Sequence, residues 1–380
     1  MSVFCPVPTT QSSGLIRFAI RSIIAAAGRP TARRRGGYAP GVTAIRRPDL
    51  PEPARVALLD GPTPLQPMPR LSAALGDHAE LWIKREDLGP LAFSGNKLRN
   101  LEFLLGAALA DNADAIVTSG RRWSNHCRLT AAAGGRLGLE VHLVVSGPPV
   151  ERSRNLELIE LFGGTVHQTE TDGRVERETT VEAVAADLRT RGRKVVVIPV
   201  GGSGASGAWG QVLAALEVAD QASGLGFAPD VIVLPSASGG TQAGLVVGSA
   251  LAALGSGVNG AGGARVIGVL AARPAVELRP VIERLVEELA ALAGIETPTD
   301  RIELDSSQLG PGYGVTTPAS EEATELLART EGILVDPVYT AKALAGLFSL
   351  VRAGALDGQR AIFWHGGGLP AIFEDLAAVG

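Results

Sequence analysis

The sequence predicts an α/β protein built on two mostly parallel sheets, and three observations carry that prediction. Short apolar runs alternate along the chain with segments of helical periodicity, the pattern of successive βαβ units. The runs VVVIP (195–199) and VIVLP (231–235) are apolar at every position, as strands covered on both faces are. Small and polar turn residues gather where a strand run gives way to a helix, at 124–126, 202–207 and 235–241.

In chain order, a strand is predicted over 80–84 and a helix over 98–109, with Leu101, Leu104, Leu105 and Ala108 on one face. A strand at 115–119 leads to a helix at 128–138 that Gly138 ends. Strand 141–145, helix 153–162, strand 166–168, helix 181–191 and strand 194–200 follow. Helix 209–221, strand 231–234, helix 243–254, strand 265–270 and a long helix at 276–293 come next. Helices at 321–331 and 342–351 and a strand at 360–364 close the series. The expected organisation is two intertwined lobes, a smaller one over 95–205 and a larger one from 49–94 and 206–380. Ligands of such folds sit at the C-terminal ends of the strands.

Composition narrows the function. At 380 residues the chain holds one large or two medium cores. A net charge of −4 offers no electrostatic footprint for nucleic acid. Cys5 and Cys127, far apart, form neither a zinc pattern nor a disulfide framework, so no metal and a reducing, cytoplasmic setting are expected. Every apolar stretch is broken before it could span a bilayer. Residues 1–48 stand apart: they hold eight Arg and none of the 39 acids. They read as a weakly ordered basic extension of transit-peptide composition, with a short amphipathic helix over 15–27.

Five clusters bear on chemistry. Ser94, Gly95 and Asn96 are turn and cap residues ahead of helix 98–109, which puts Lys97 in the first helical turn. The positive end of a helix dipole disfavours a cation there and favours the neutral amine that Schiff-base chemistry needs. On spacing alone, a solvated lysine at a helix start fits as well. The run Ser238-Gly239-Gly240-Thr241 sits between strand VIVLP and a helix. Its free backbone N–H groups and two hydroxyls make a phosphate cradle, or an ordinary tight turn. Ser124-Asn125-His126 follows a strand and reads either as ligand contacts or as helix capping. Cys127 beside His126 does not make a nucleophile–base pair, because sequence neighbours on a helix do not face one another. The run GSGASG (202–207) matches the dinucleotide fingerprint, which raises a nicotinamide-dependent oxidoreductase as a rival. That reading needs an acid at the end of the next strand, and the strand ends Leu234-Pro235-Ser236. Finally, two of the three tyrosines, Tyr313 and Tyr339, fall in loops, where a phenol can move a proton or orient a carboxylate.

Taken together, KREDLGPLAFSGNKLRNLE, SNHCR, GGSGASGAWG, SGGTQAG, GPGYG, EGILVDPVYTAKA and WHGGGLPAIF resemble the family of D-cysteine desulfhydrases and 1-aminocyclopropane-1-carboxylate (ACC) deaminases over roughly residues 55–376. The resemblance implies the tryptophan-synthase-β-like fold (fold type II) of pyridoxal 5′-phosphate (PLP) enzymes, usually a homodimer, acting on a small amino acid. It implies Lys97 as the Schiff-base lysine, with Asn96 beside it, and Ser238, Gly239, Gly240 and Thr241 around the cofactor phosphate. Asn125 would meet the cofactor's phenolic oxygen, Ser124, Asn125 and His126 the substrate, and Tyr313 and Tyr339 the reacting centre. ACC deaminases carry Glu where this chain has Thr340, beside the pyridine ring, and the desulfhydrases tend to carry Thr. Three departures stand out: Gly366 where the desulfhydrases have Thr, Trp123 in the pocket wall where Gln is usual, and Arg121-Arg122 in place of smaller residues. The expected reaction is β-elimination on D-cysteine, with ACC deamination and other β-substituted amino acids as alternatives.

Overall fold

Pairing of the apolar runs produces two sheets in the computed structural model, which describes residues 50–51, 53–147, 153–255 and 263–374. The basic N-terminal extension and its expected helix lie outside the described residues. In the larger sheet β1 (Leu65–Pro67) runs antiparallel to β2 (Glu80–Arg85). β2 then pairs in parallel with β10 (Arg360–His365), β10 with β7 (Val231–Ser236), β7 with β8 (Arg265–Leu270), and β8 with β9 (Ile302–Asp305). The smaller sheet is parallel throughout, in the order β5 (Thr165–Gln168), β4 (Glu140–Ser146), β3 (Ala115–Arg121), β6 (Val195–Val197).

Alternate side chains of each strand serve opposite cores, which is why the strands read as unbroken apolar runs. Ile232, Leu234, Val266, Leu270, Ile362 and Trp364 face α6 (Ala205–Gly224), α7 (Gly240–Gly255) and α8 (Ala275–Ala293). Their neighbours Val231, Val233, Ile267, Val269 and Phe363 face α1 (Pro69–Ala74), α9 (Pro318–Glu331) and α10 (Thr340–Arg352). On the smaller sheet, Ile116, Val141 and Val145 pack with α2 (Lys97–Ala110), α3 (Asn125–Leu137) and α4 (Arg154–Leu161). Ala115, Val117 and Val144 pack with α5 (Arg174–Thr190). Each fully buried Val, Leu or Ile contributes about 1.5–3 kcal/mol.

Helix α2 is fastened by a buried ionic network as well as by its apolar face. Arg99 forks onto Glu86, with Nε to Oε2 at 2.7 Å and Nη2 to Oε1 at 2.8 Å, and reaches Glu217 of α6 at 2.9 Å. Lys84 of β2 donates to Glu217 and to the Thr63 carbonyl. Burial alone would penalise these charges, and mutual pairing offsets the penalty: Glu86 and Glu217 hold the Arg99 proton on, and Arg99 and Lys84 hold Glu217 below the usual carboxylate range.

The elements depart from the sequence reading mainly at their ends. The helix expected over 181–191 begins earlier, at Arg174, and the strand expected over 194–200 is cut to Val195–Val197 by Pro199 and a 3-10 turn at Val200–Gly202. Three short elements went unread: β1, β9 and the six-residue helix α1, which is too short to repeat a helical face.

Candidate active site

The C-terminal ends of β3, β7, β8 and β10 and the loops that follow them enclose a cavity of about 560 Å³. Lys97 enters it as the first residue of α2. It is carried there by an unusual backbone: Ala92, Phe93 and Ser94 all have positive φ (48°, 60° and 49°). Such conformations cost about 1–3 kcal/mol each and persist only where the surroundings enforce them. Here Arg128 of α3 does so, its guanidinium donating to the Ala92 and Ser94 carbonyls. Gly95 then meets Gly367, and a Cβ at Gly367 would lie 2.6 Å from the Gly95 Cα, so the approach is backbone to backbone.

The Lys97 amine has a single protein partner among the described residues, the Ser238 hydroxyl at 3.4 Å, and no carboxylate at ion-pair distance. Burial drives its pKa down to about 8. The expected lowering toward the neutral amine is present, and its cause is desolvation. Asn96 does not cap α2. Its side chain makes no cap hydrogen bond and instead donates to Thr241 Oγ1 across the cavity at 2.8 Å.

Ser238, Gly239 and Thr241 line the cavity at the N-terminus of α7, whose first turn holds no acid. Gly240 lies behind them, and a Cβ there would come within 2.9 Å of the Ser203 hydroxyl. Ser203 belongs to the GSGASG run and donates to Ser238 Oγ at 2.6 Å. That run is thus a brace for the Ser238 loop.

Ser124 caps α3 by accepting from the Cys127 N–H at 3.2 Å, and Ser124, Asn125 and His126 all line the cavity. Arg128 donates to Asn125 Oδ1 at 2.8 Å, which orients the amide and leaves its NH2 without a partner among the described residues. The Thr118 hydroxyl gives its one proton to the Ile198 carbonyl at 2.8 Å, so in its 2.8 Å contact with His126 the imidazole Nε2 must be the donor. His126 Nδ1 is then a bare acceptor, buried and without a protein partner. Burial, assisted by Lys97, keeps the ring neutral with a pKa near 3. Cys127 is fully enclosed and its thiol is pushed up to about 11, so it stays protonated.

Tyr313 and Tyr339 are joined hydroxyl to hydroxyl at 2.6 Å, and burial raises the pKa of both. Trp123, expected to touch the substrate, stands outside the cavity wall: it stacks on Tyr313 at 5.8 Å and packs against Val338 and Ala371. Thr340 lines the cavity with Asp336, a residue the sequence reading quoted but gave no role. Asp336 accepts the backbone N–H groups of Val338, Tyr339 and Thr340 and the Thr340 hydroxyl, an arrangement legible as the turn-forming spacing of Asp336 ahead of helix α10. Gly366 lies beside Asn96, where a Cβ would make ordinary contact at 3.5 Å.

The donor set fits PLP. A helix N-terminus with two hydroxyls suits a phosphate, a desolvated and unpaired amine suits an aldehyde, and the free Asn125 amide suits a phenolic oxygen. Among the described residues no group of His, Cys, Asp and Glu is placed to hold a metal ion, and no helix is long and apolar enough to cross a membrane.

Comparison with known proteins agrees. The family described as pyridoxal-phosphate dependent enzyme matches residues 56–367. D-cysteine desulfhydrases of Salmonella paratyphi B and Salmonella newport are 39% identical to this chain over 326 residues, which is 84% of this chain and 95% of theirs. Among solved structures, an ACC deaminase homologue superposes with a TM-score of 0.78 at 33% identity, covering 87% of this chain and 97% of its own. A fungal L-serine ammonia-lyase from Rhizomucor miehei, at 17% identity and a TM-score of 0.58 over 83% of this chain and 95% of its own, shares the fold. The chain belongs to the pyridoxal-phosphate-dependent enzymes, in the D-cysteine desulfhydrase and ACC deaminase family of fold type II.

Proposed function

We propose that this enzyme catalyses β-elimination on D-cysteine, releasing pyruvate, hydrogen sulfide and ammonia. The observation that carries the reading is Lys97, a desolvated amine free of any acidic partner, at the head of the Ser238 loop in a chain 39% identical to D-cysteine desulfhydrases. Lys97 would hold PLP, with Ser238, Gly239, Gly240 and Thr241 at its phosphate, Asn96 and Asn125 alongside and Thr340 near its ring. When bound, PLP supplies an electron-withdrawing ring that stabilises negative charge at the substrate Cα.

The residues of the chain do the rest. Ser124, Asn125 and the N-terminal turn of α3 receive the substrate carboxylate. His126 Nδ1 offers an acceptor that does not titrate near neutral pH. With its pKa lowered by burial to about 8, Lys97 is a base of suitable strength to take the Cα proton once it is deprotonated. Tyr313 and Tyr339 keep their protons, so they serve as hydroxyl donors toward the departing thiolate, and Trp123 holds Tyr313 in place from behind. The division into lobes at 95 and 205, a homodimer and a cytoplasmic location belong to the same proposal. ACC deaminase is the second reading, favoured by the structural likeness to an ACC deaminase homologue; Thr340, in place of the Glu expected of that activity, counts against it.

The test is the visible spectrum of wild-type and Lys97→Ala protein, then product detection with D-cysteine, L-cysteine and ACC. Wild type should be yellow, with borohydride fixing the cofactor to Lys97, and should release sulfide from D-cysteine. The variant should lack the fixed chromophore. Formation of 2-oxobutanoate from ACC would promote the second reading. A colourless protein that stays colourless with added PLP would overturn both.

A further inference from the structure

The cavity holds more cationic charge than the proposed reaction on cysteine uses. Arg121, Arg174, Arg177 and Arg273 all line it. Two of them are neutralised: Arg121 pairs with Asp172 at 3.0 Å and Arg174 with Glu178 at 2.9 Å. The other two are not. Arg177, half-buried on α5, spends one nitrogen on the Ser146 hydroxyl at 3.1 Å, and its Nε is enclosed with no partner. Arg273, half-buried after β8, donates only to the Ala237 carbonyl at 3.2 Å. Among the described residues neither has a carboxylate at ion-pair distance. Burial lowers the pKa of both; the neighbouring arginines lower it further, while Asp172 and Glu178 near Arg177 and Glu277 near Arg273 act in the opposite sense without reaching ion-pair distance, and a guanidinium stays charged.

An unpaired cation away from water is costly, and an anion that enters the cavity relieves the cost. The two arginines come from opposite sheets, near enough to feel one another's charge across the opening. Both are held in place, Arg177 by Ser146, which in turn is fixed by Asp172, and Arg273 by the turn that carries the Ser238 loop. Arg121 lies over the face of Tyr313 at 4.6 Å, which directs this cationic group toward the tyrosine pair.

We propose that Arg177 and Arg273 bind a second negative charge on the substrate, so that the preferred substrates are small α-amino acids whose β-substituent carries an oxyanion such as a sulfonate, sulfate or phosphate. This rests on the elimination chemistry proposed above and moves the preferred leaving group from a thiolate to an oxyanion. The Cα–H and Cβ–X bonds break: the proton passes to Lys97 and X leaves with the bonding electron pair as the free oxyanion; the enamine left behind takes a proton at Cβ, and water displaces nitrogen, giving a 2-oxo acid and ammonia. Charge-assisted bonds from planar guanidinium groups suit such oxyanions in number and geometry.

The test uses PLP-loaded enzyme and measures ligand binding by calorimetry, cofactor content by absorbance, and products separately. Probes are 3-sulfoalanine, O-phosphoserine and O-sulfoserine in both enantiomers, against neutral 3-chloroalanine and cysteine. At least one oxyanionic probe should bind about tenfold or more tightly than its neutral counterparts, as one or two charge-assisted bonds would give. Arg177→Gln should lower that ratio about tenfold, and Arg177→Lys should restore part of it. Equal binding of charged and neutral probes by wild type would overturn the proposal. So would loss of PLP from Arg177→Gln and Arg273→Gln with the ratio intact, because the arginines would then serve the cofactor phosphate. Preferential binding without any product would uphold the oxyanion site and overturn the elimination reading instead.

Discussion

Lys97 is made reactive by what its surroundings withhold. No carboxylate stabilises its ammonium form, and burial brings its pKa to about 8, against the ordinary 10.5 of a lysine. Below that pH the amine is protonated and inert toward an aldehyde; above it the lone pair is free. Uptake of PLP by the cofactor-free protein should therefore accelerate with pH through a midpoint near 8 and level off above it, as stopped-flow absorbance would record. A midpoint near 10 would mean the amine is solvated. Residue types and order singled out Lys97, Ser238 and the tyrosines as candidates, because turn residues at strand ends reveal where backbone donors gather, but left a solvated lysine and an ordinary turn equally open; only the family resemblance assigned them roles. Partners were not legible. Asn96 resembles a cap in sequence yet bonds Thr241, far along the chain, and Trp123 beside Ser124 faces away from the ligand space. Arg177 fell before the helix expected over 181–191 and was given no role; the helix begins at Arg174 and carries Arg177 to the cavity.

The reactive lysine can be no better placed than helix α2, and α2 depends on Arg99. Replacing Arg99 with Leu would strand Glu86 as a buried, uncompensated anion and leave Glu217 to Lys84 alone, a change that costs about 3–5 kcal/mol when one partner of a buried pair is removed. Denaturant unfolding of Arg99→Leu should show a loss of that size; a loss under about 1 kcal/mol would mean that water reaches the pair. Period and cap residues revealed the longer helices, with Gly138 ending α3 in the left-handed conformation (φ 73°) as expected. They could not reveal this network, because Lys84, Glu86, Arg99 and Glu217 are brought together from distant stretches of chain and charge alone reads as surface.

At the scale of the molecule, the alternation of apolar runs and helices was sufficient to anticipate two parallel sheets with the ligand space at their strand ends. It could not say that β10 inserts between β2 and β7, since strand order depends on pairings between distant segments. Every residue of the proposed site lies between Asn96 and Gly367, and the family match begins at residue 56. A chain starting at residue 49 should therefore bind PLP to the same stoichiometry as the full chain; loss of cofactor on this truncation would give the Arg-rich segment a part in the site.

The contact of Gly95 with Gly367 also sets a schedule for synthesis. The loop that delivers Lys97 is complete early in translation, but the strand and glycines that hold it are nearly the last to emerge. On the ribosome the smaller sheet can form while the larger one still lacks its β10 strand, and until that strand arrives the left-handed run at Ala92–Ser94 has Arg128 to hold it but not the Gly367 backbone that Gly95 meets. The nascent chain therefore cannot take up cofactor piecemeal. Loading should await synthesis through β10 and Gly367, so a product truncated before β10 would carry the lysine but not the pocket.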